Sequence, residues 1–340
     1  MTNIIASTDS ELYKDDLIVV TGAGGFIGGH LVNYFNKQGF ARIRAVDIKP
    51  ISDWYQCIGG VENLCLDLSK EENAIIATKD AVEVYNLAAD MGGMGFIENS
   101  RVECLRNILI NTHLLEASYR TGVKRYLFSS SACVYNTNLQ KDSNNCALKE
   151  SDAYPAMSER GYGFEKLLSE MFCQEYWFER CVKTFIPRFH NVYGHYGSWD
   201  GGREKAPAAI IRKVIEAKYT KKNKITIWGN GKQTRSFMWI DDCIKGIDQI
   251  MHCDKLVATP INLGSSEMVT INDLVDIAEN IAEIKLERYY DLNAPIGVTG
   301  RSSDNTFIQS VLNWQPSTLL FDGMEKTYAW IESQYYSKKF

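Results

Sequence analysis

The chain lacks any excess of positive charge. Its 37 Lys and Arg stand against 42 Asp and Glu, a net charge of -5, which argues against a general nucleic-acid binder. It has no apolar run approaching the length of a membrane span. Met1 to Asp16 is polar and acidic, without the basic start and apolar core of a signal peptide. Neither nucleic acid nor membrane is therefore expected as a partner. None of the nine cysteines forms a CxxC pair; an odd, scattered set fits the reduced thiols of a cytoplasmic protein, most of them small buried hydrophobes. Repeats and low-complexity tracts are missing too. His190 and His195 have no nearby carboxylate or cysteine pattern to complete a metal site, so no metal is expected. What is present is ordinary globular composition: 340 residues, 45% hydrophobic and 23% charged, enough for one large α/β domain and a smaller one.

Residues 1–15 read as a loose leader. Leu17 to Thr21 is a short apolar run of the kind found in buried parallel strands, followed by a helical pattern through Phe35. Further strands are expected at Arg42–Val46, Val61–Leu66, Val82–Leu87, Arg125–Phe128 and Thr184–Arg188. Helices are expected at Val102–Arg120 and from Tyr162 to about Glu179, and residues 136–157 read as a loop. This alternation predicts a Rossmann-like, doubly wound parallel sheet over residues 1–188. Residues 189–340 read as a smaller, mainly substrate-binding α/β domain that covers the carboxyl ends of the strands. Its expected elements are strands at Ile225–Trp228 and Pro260–Leu263 and helices at Ala206–Ala217, Asp242–Met251, Ile271–Ile281 and Leu319–Ser333.

Two constellations carry chemistry. Gly22, Gly25 and Gly28 follow the first strand directly and, with Phe26 and Ile27, open a helix. Glycine lets the chain turn tightly and lets a pyrophosphate approach the backbone at the helix N-terminus. Asp47, at the end of the next strand, can accept bonds from both ribose hydroxyls and would repel a 2′-phosphate, which favours NAD over NADP. Asp67 is a candidate for the adenine side. The second constellation is Ser131 and Cys133 after the fifth strand, with Tyr162 and Lys166 one turn apart on a helix. An ammonium beside a phenol favours the phenolate, which can take a proton from a sugar hydroxyl while a nicotinamide takes the hydride. The cysteine adds a second task, removing a proton from carbon.

These motifs identify an extended short-chain dehydrogenase/reductase, and more narrowly the chain resembles the GDP-mannose 3,5-epimerases. The resemblance runs from about residue 17 to 335. It rests on Asn86-Leu-Ala-Ala-Asp-Met-Gly-Gly-Met-Gly-Phe-Ile97, Ser130-Ser-Ala-Cys133, Arg188-Phe-His-Asn-Val-Tyr-Gly194, Gly201-Gly-Arg-Glu-Lys-Ala-Pro-Ala-Ala209, Gln233-Thr-Arg-Ser-Phe237 and Arg301-Ser-Ser-Asp-Asn305. It implies that Ser131 and Tyr162 contact the sugar near C4, that Lys166 holds the nicotinamide ribose, and that Cys133 and Lys205 form an acid/base pair that inverts carbon. It implies that Gly92, Ala132, Asn191, Glu204, Ala206, Lys213, Gln233, Thr234, Arg235 and Arg301 line the GDP-sugar site, with the two arginines as forked donors to a pyrophosphate. A homodimer is implied at the level of the fold. Departures from the plant enzymes fall after Tyr135, at Thr299 where they carry an arginine, and in the basic insertion Lys218 to Lys224.

The reaction so implied inverts C3, C5 or both. Those C–H bonds become acidic only while C4 is a ketone. Competing readings on the same fold are a 4,6-dehydratase, disfavoured because Ala132 and Cys133 occupy the place of the usual acid, and a C4 oxidoreductase that releases its keto sugar, hexose or heptose.

Overall fold

Leu17, Ile18, Val19 and Val20 are each at most 3% exposed, and with Thr21 they form the central strand β1 (Leu17–Thr21). A strand buried along its whole length needs cover on both faces, which parallel pairing with crossover helices supplies. The computed structural model describes residues 12–144 and 147–339; the expected leader lies outside the described residues up to residue 11. Six more strands join β1: β2 (Arg42–Asp47), β3 (Glu62–Cys65), β4 (Ala81–Asn86), β5 (Arg125–Phe128), β6 (Lys183–Phe189) and β7 (Pro260–Leu263). All their pairings are parallel, in the order β3-β2-β1-β4-β5-β6-β7. The two-residue strand Ser130–Ser131 pairs with the end of β6. Along β1 the side chains alternate, Ile18 and Val20 joining one core and Leu17 and Val19 the other. The strand order reverses between β1 and β4. There the carboxyl ends diverge and leave a crevice for a ligand.

Most of the remaining strands form a second, smaller sheet. Its centre is Thr234–Trp239, paired antiparallel with Met268–Thr270 and parallel with Asn191–Tyr193 and Gly300–Ser303. Gly300–Ser303 also pairs with Ala147–Leu148. Lys224–Trp228 pairs separately with Glu287–Asp291. The helices Ala206–Thr220, Ile271–Ala282 and Leu320–Lys339 pack together beside them.

The expected α/β class and the main strands are borne out, mostly within a residue or two. Several elements were not foreseen: the strands Thr234–Trp239 and Gly300–Ser303, the helix Glu71–Thr78, and the length of the last helix, which continues past Ser333. Gln233 to Ser236 is polar, so period-two burial is hidden there. The stretch expected to be a plain loop holds two 3-10 turns, Thr137–Gln140 and Glu150–Ala153, and the strand Ala147–Leu148. One topological feature crosses the sequence division. β7 comes after most of the second sheet yet returns to the edge of the first.

Candidate active site

At the open end of β1 the backbone turns at Gly22 with φ +68°, and a Cβ there would sit 2.6 Å from the Leu87 carbonyl oxygen. A Cβ on Gly28 would lie 2.2 Å from the Gly22 carbonyl oxygen. A larger residue at Gly28 would push the helix Phe26–Lys37 away from the turn, and one at Gly22 would drive the turn into the chain that leaves β4. The first helical bond runs from Gly29 N–H to the Gly25 carbonyl. The N–H groups of Phe26, Ile27 and Gly28 precede it and point outward, and Gly25 caps the helix with no side chain. This cradle fits a dinucleotide pyrophosphate. Asp47 ends β2 and accepts bonds from Gly24 N–H at 2.9 Å and Lys49 N–H at 3.0 Å. Its carboxylate is fixed by the same loop and keeps lone pairs for a ribose. Asp67 is tied to Ser69, whose hydroxyl donates to it at 2.6 Å and holds its carboxyl below the usual range. Phe26 is turned toward Gly194 and Gly197 of the following half.

The reactive cluster lies at the carboxyl end of β5. Ser131 caps the 3-10 turn Ala132–Val134, its Oγ accepting from Cys133 N–H at 3.2 Å. Tyr162 opens the helix Tyr162–Arg180 and shares a hydrophobic cluster with Cys133, Cys104 and Ile97. Helix and turn are locked together, because a Cβ on Gly163 would meet the Cys133 carbonyl oxygen at 2.3 Å. Burial pushes the Tyr162 phenol well above its ordinary range; Cys133 and Glu165 add to the rise, and a bond with Ser131 opposes it. The Lys166 Nζ stands 5.5 Å from the Tyr162 ring centroid, 4.6 Å from that of Phe128 and 3.9 Å from Glu165 Oε2. Burial dominates at the Tyr162 phenol, and the Lys166 ammonium draws the neighbouring Glu165 carboxyl down against the rise that burial gives it.

Lys205 enters this cluster from the second half, as the residue before the helix Ala206–Thr220. It makes no ion pair or side-chain hydrogen bond among the described residues. Burial lowers the pKa of its ammonium; the nearby Cys133 opposes that and Arg301 adds to it. The Gly93 N–H donates to the Arg203 carbonyl at 3.1 Å, and a Cβ on Gly93 would lie 2.8 Å from the Glu204 carbonyl oxygen. The glycine run after β4 thus accepts the segment carrying Lys205 at close range. Gly92 lies against Phe96 and Arg203.

Of the other predicted residues, Asn191, Thr234, Arg235 and Arg301 lie on or beside the strand Thr234–Trp239. Asn191 donates to the Ser236 carbonyl and the Thr234 hydroxyl to the Ser143 carbonyl. Lys213 donates to the Thr226 carbonyl, and Gln233 Nε2 to the Trp228 carbonyl. Gln233 Oε1 is buried without a partner among the described residues, an acceptor left over for a ligand. Glu204 accepts from Arg212. The two arginines, expected as forked donors, are both held by acceptors of the protein. Arg235 binds the carbonyls of Thr234, Ile296 and Val298. Arg301 binds Gln140, Glu159 and the Cys133 sulfur, the last at 3.5 Å. Each guanidinium is engaged by the protein, because carboxylate, amide, carbonyl or sulfur acceptors lie within its reach. Glu159, Gln140 and Glu165 were missed by sequence reasoning. Glu165 sits inside the Tyr162–Lys166 spacing, a signal that was available; Glu159 and Gln140 stand in loops with no periodic cue.

The model of the family described as "NAD dependent epimerase/dehydratase family" matches residues 18–264. The GDP-mannose 3,5-epimerase of Arabidopsis thaliana is 40% identical over 329 residues, spanning 95% of this chain and 84% of that protein. The structure of a UDP-glucose 4-epimerase with UDP-glucose from Thermotoga maritima superposes with a TM-score of 0.81 at 21% identity, covering 94% of this chain and 99% of that one. MoeE5 in complex with UDP-glucose and NAD gives 0.77 at 26% identity, covering 94% and 99%. With its glycine cradle at the sheet's switch point and a family match across most of its length, the chain belongs to the NAD dependent epimerase/dehydratase family.

Proposed function

We propose that the protein is an NAD-dependent GDP-sugar epimerase that inverts GDP-mannose at C3, C5 or both. The observation that carries this reading is the convergence of Ser131, Cys133, Tyr162 and Lys205 beside the glycine cradle, in a chain 40% identical to a GDP-mannose 3,5-epimerase. Residues 1–188 would hold NAD and residues 189–340 mainly the nucleotide sugar. When bound, NAD supplies the hydride chemistry at C4. Ser131 and Tyr162 would meet the C4 hydroxyl, and Tyr162 would take its proton with Lys166 behind it. Cys133 and Lys205 would exchange protons with the carbon next to the ketone, one from each face. Gly92, Ala132, Asn191, Glu204, Ala206, Lys213, Gln233, Thr234, Arg235 and Arg301 would shape the site for the GDP-sugar, with the unpaired Gln233 Oε1 as one polar anchor. Asp47 favours NAD over NADP by repelling a 2′-phosphate.

A homodimer is part of the proposal. The helices Arg101–Thr121 and Tyr162–Arg180 pack side by side, and they expose Val102, Leu105, Leu109, Phe164, Leu168 and Met171 at helical spacing. Such a patch fits a partner with the same face. Cys57, Cys65 and Cys181 are exposed free thiols, which supports a reducing, cytoplasmic setting.

The test is incubation of the purified protein with GDP-mannose in D2O, followed by NMR of the sugar. Deuterium at C3 or C5 with inversion there supports the reading. A released 4-keto sugar without inversion would replace it by the C4 oxidoreductase.

A further inference from the structure

Glu159 is tied to Cys133 twice. Its backbone N–H donates to the Cys133 carbonyl at 3.2 Å. Its carboxylate binds the Arg301 guanidinium, whose other nitrogens donate to Gln140 Oε1 at 2.6 Å and to the Cys133 sulfur at 3.5 Å. The ion pair is enclosed, the Arg301 and Glu159 side chains being 7% and 12% exposed. It also joins the two halves of the molecule: Arg301 comes from the strand Gly300–Ser303, and Glu159 stands just before the helix that carries Tyr162. Glu159 also lines a cavity of ≈250 Å³ with Arg101, Arg160, Thr137 and Val298.

A guanidinium alone beside a buried thiol would favour the thiolate, and a carboxylate bound to that guanidinium cancels the effect. We propose that Glu159 is a positioning residue of the reaction: it clamps Arg301 against the Cys133 sulfur and cancels its charge, so that Cys133 meets the substrate as a thiol, the acid of the pair, and Lys205 serves as its base. The proposal rests on the epimerase reading. The amine of Lys205 takes the proton from the carbon beside the C4 ketone, leaving an enolate. The S–H bond of Cys133 then breaks as its proton joins the opposite face of that carbon. The carbon has lost a proton from one face and gained another on the opposite face, Lys205 is left as ammonium and Cys133 as thiolate, and exchange with solvent restores both. The surroundings agree in sign. Burial and Glu159 raise the Cys133 thiol while Arg301 and Ser131 pull it down, and burial lowers Lys205.

Glu159→Gln keeps the shape and removes the charge. In the substrate-free protein, the pH dependence of Cys133 alkylation by iodoacetamide, read on its own peptide by mass spectrometry, should shift to lower pH. A fall of about half a unit makes alkylation about threefold faster below both midpoints. Arg301→Gln should shift it the other way, and Glu159→Asp should return it toward wild type. With GDP-mannose, the alkaline limb of the kcat profile should move to lower pH in Glu159→Gln, with KM within about threefold. A thermal melt checks that each variant is folded. An unchanged alkylation midpoint in folded Glu159→Gln, or an alkaline limb that stays put or moves up, overturns the proposal. Failure of the wild type to invert GDP-mannose would instead remove the epimerase reading, while the alkylation midpoint would still report whether Glu159 acts on Cys133.

Discussion

Tyr162 has to give up its proton in the proposed reaction, and its burial holds that proton on. The base therefore depends on what enters the site, and removing the hydroxyl should stop chemistry without emptying the pocket. Tyr162→Phe should lower C4 oxidation about 10²-fold or more, while calorimetry finds GDP-sugar affinity within about threefold; full turnover would assign the base elsewhere. Cys133→Ala separates the two tasks. Nicotinamide absorbance should still report oxidation at C4, and Lys205 should still exchange one face of the adjoining carbon with D2O, but inverted sugar should scarcely form; inversion equal to wild type would return Cys133 to a packing role. Arg301 now carries a stability prediction. Truncation to Ala leaves the Glu159 carboxylate enclosed without its partner, so unfolding free energy should fall by about 3–5 kcal/mol, measured by urea titration, and Glu159→Met in the same chain should recover part of it. Ser131, Cys133, Tyr162 and Lys166 could be read from the sequence because short fixed spacings bind them to a strand end and one helix turn. Glu159 and Gln140 could not, because their contacts with Arg301 span 142 and 161 residues.

The helix Ile240–Met251 is held to the main sheet by charge as well as by packing. His252, at its end, bonds Asp248 through Nδ1 and stands 3.1 Å from Glu83 Oε1 through Nε2; Glu83 lies in β4 and is 1% exposed. Burial alone would lower the imidazolium's pKa. The bonds to Asp248 and Glu83 outweigh it and push the value up to about 10. A folded value above the ordinary 6.5 means the stabilisation is complete below about pH 6.5 and is lost as pH rises through 10. His252→Asn should therefore melt below wild type at pH 6.5, and the two Tm curves should converge toward pH 10. A gap that stays constant across that range would show that the imidazole's charge does not matter. At this scale the sequence was most informative where a strand is a nearly continuous apolar run, as in Leu17 to Val20 of β1. It was least informative at Thr234–Trp239 and Gly300–Ser303. Arg235 and Arg301 occupy strand positions there, and residues chosen for a polar site blur the alternation that marks a strand.

At the scale of the whole molecule, the two exposed apolar helix faces carry the proposed dimer. Leu105→Glu with Leu168→Glu puts two charges where a copy would dock in the proposed dimer, so wild type should sediment as a dimer and the double variant as a monomer; equal sedimentation would move the interface elsewhere. The return of β7 to the first sheet bears on how the chain is made. Until residue 260 has left the ribosome, β6 has no neighbour on its outer side, and its backbone donors and acceptors are open to any passing strand. The first half therefore cannot close its own edge during synthesis. A nascent chain held near residue 230 should bind holdase chaperones more strongly than one held well beyond β7, and the nucleotide cradle, although its residues are made first, gains its finished sheet only after most of the sugar-facing strands exist.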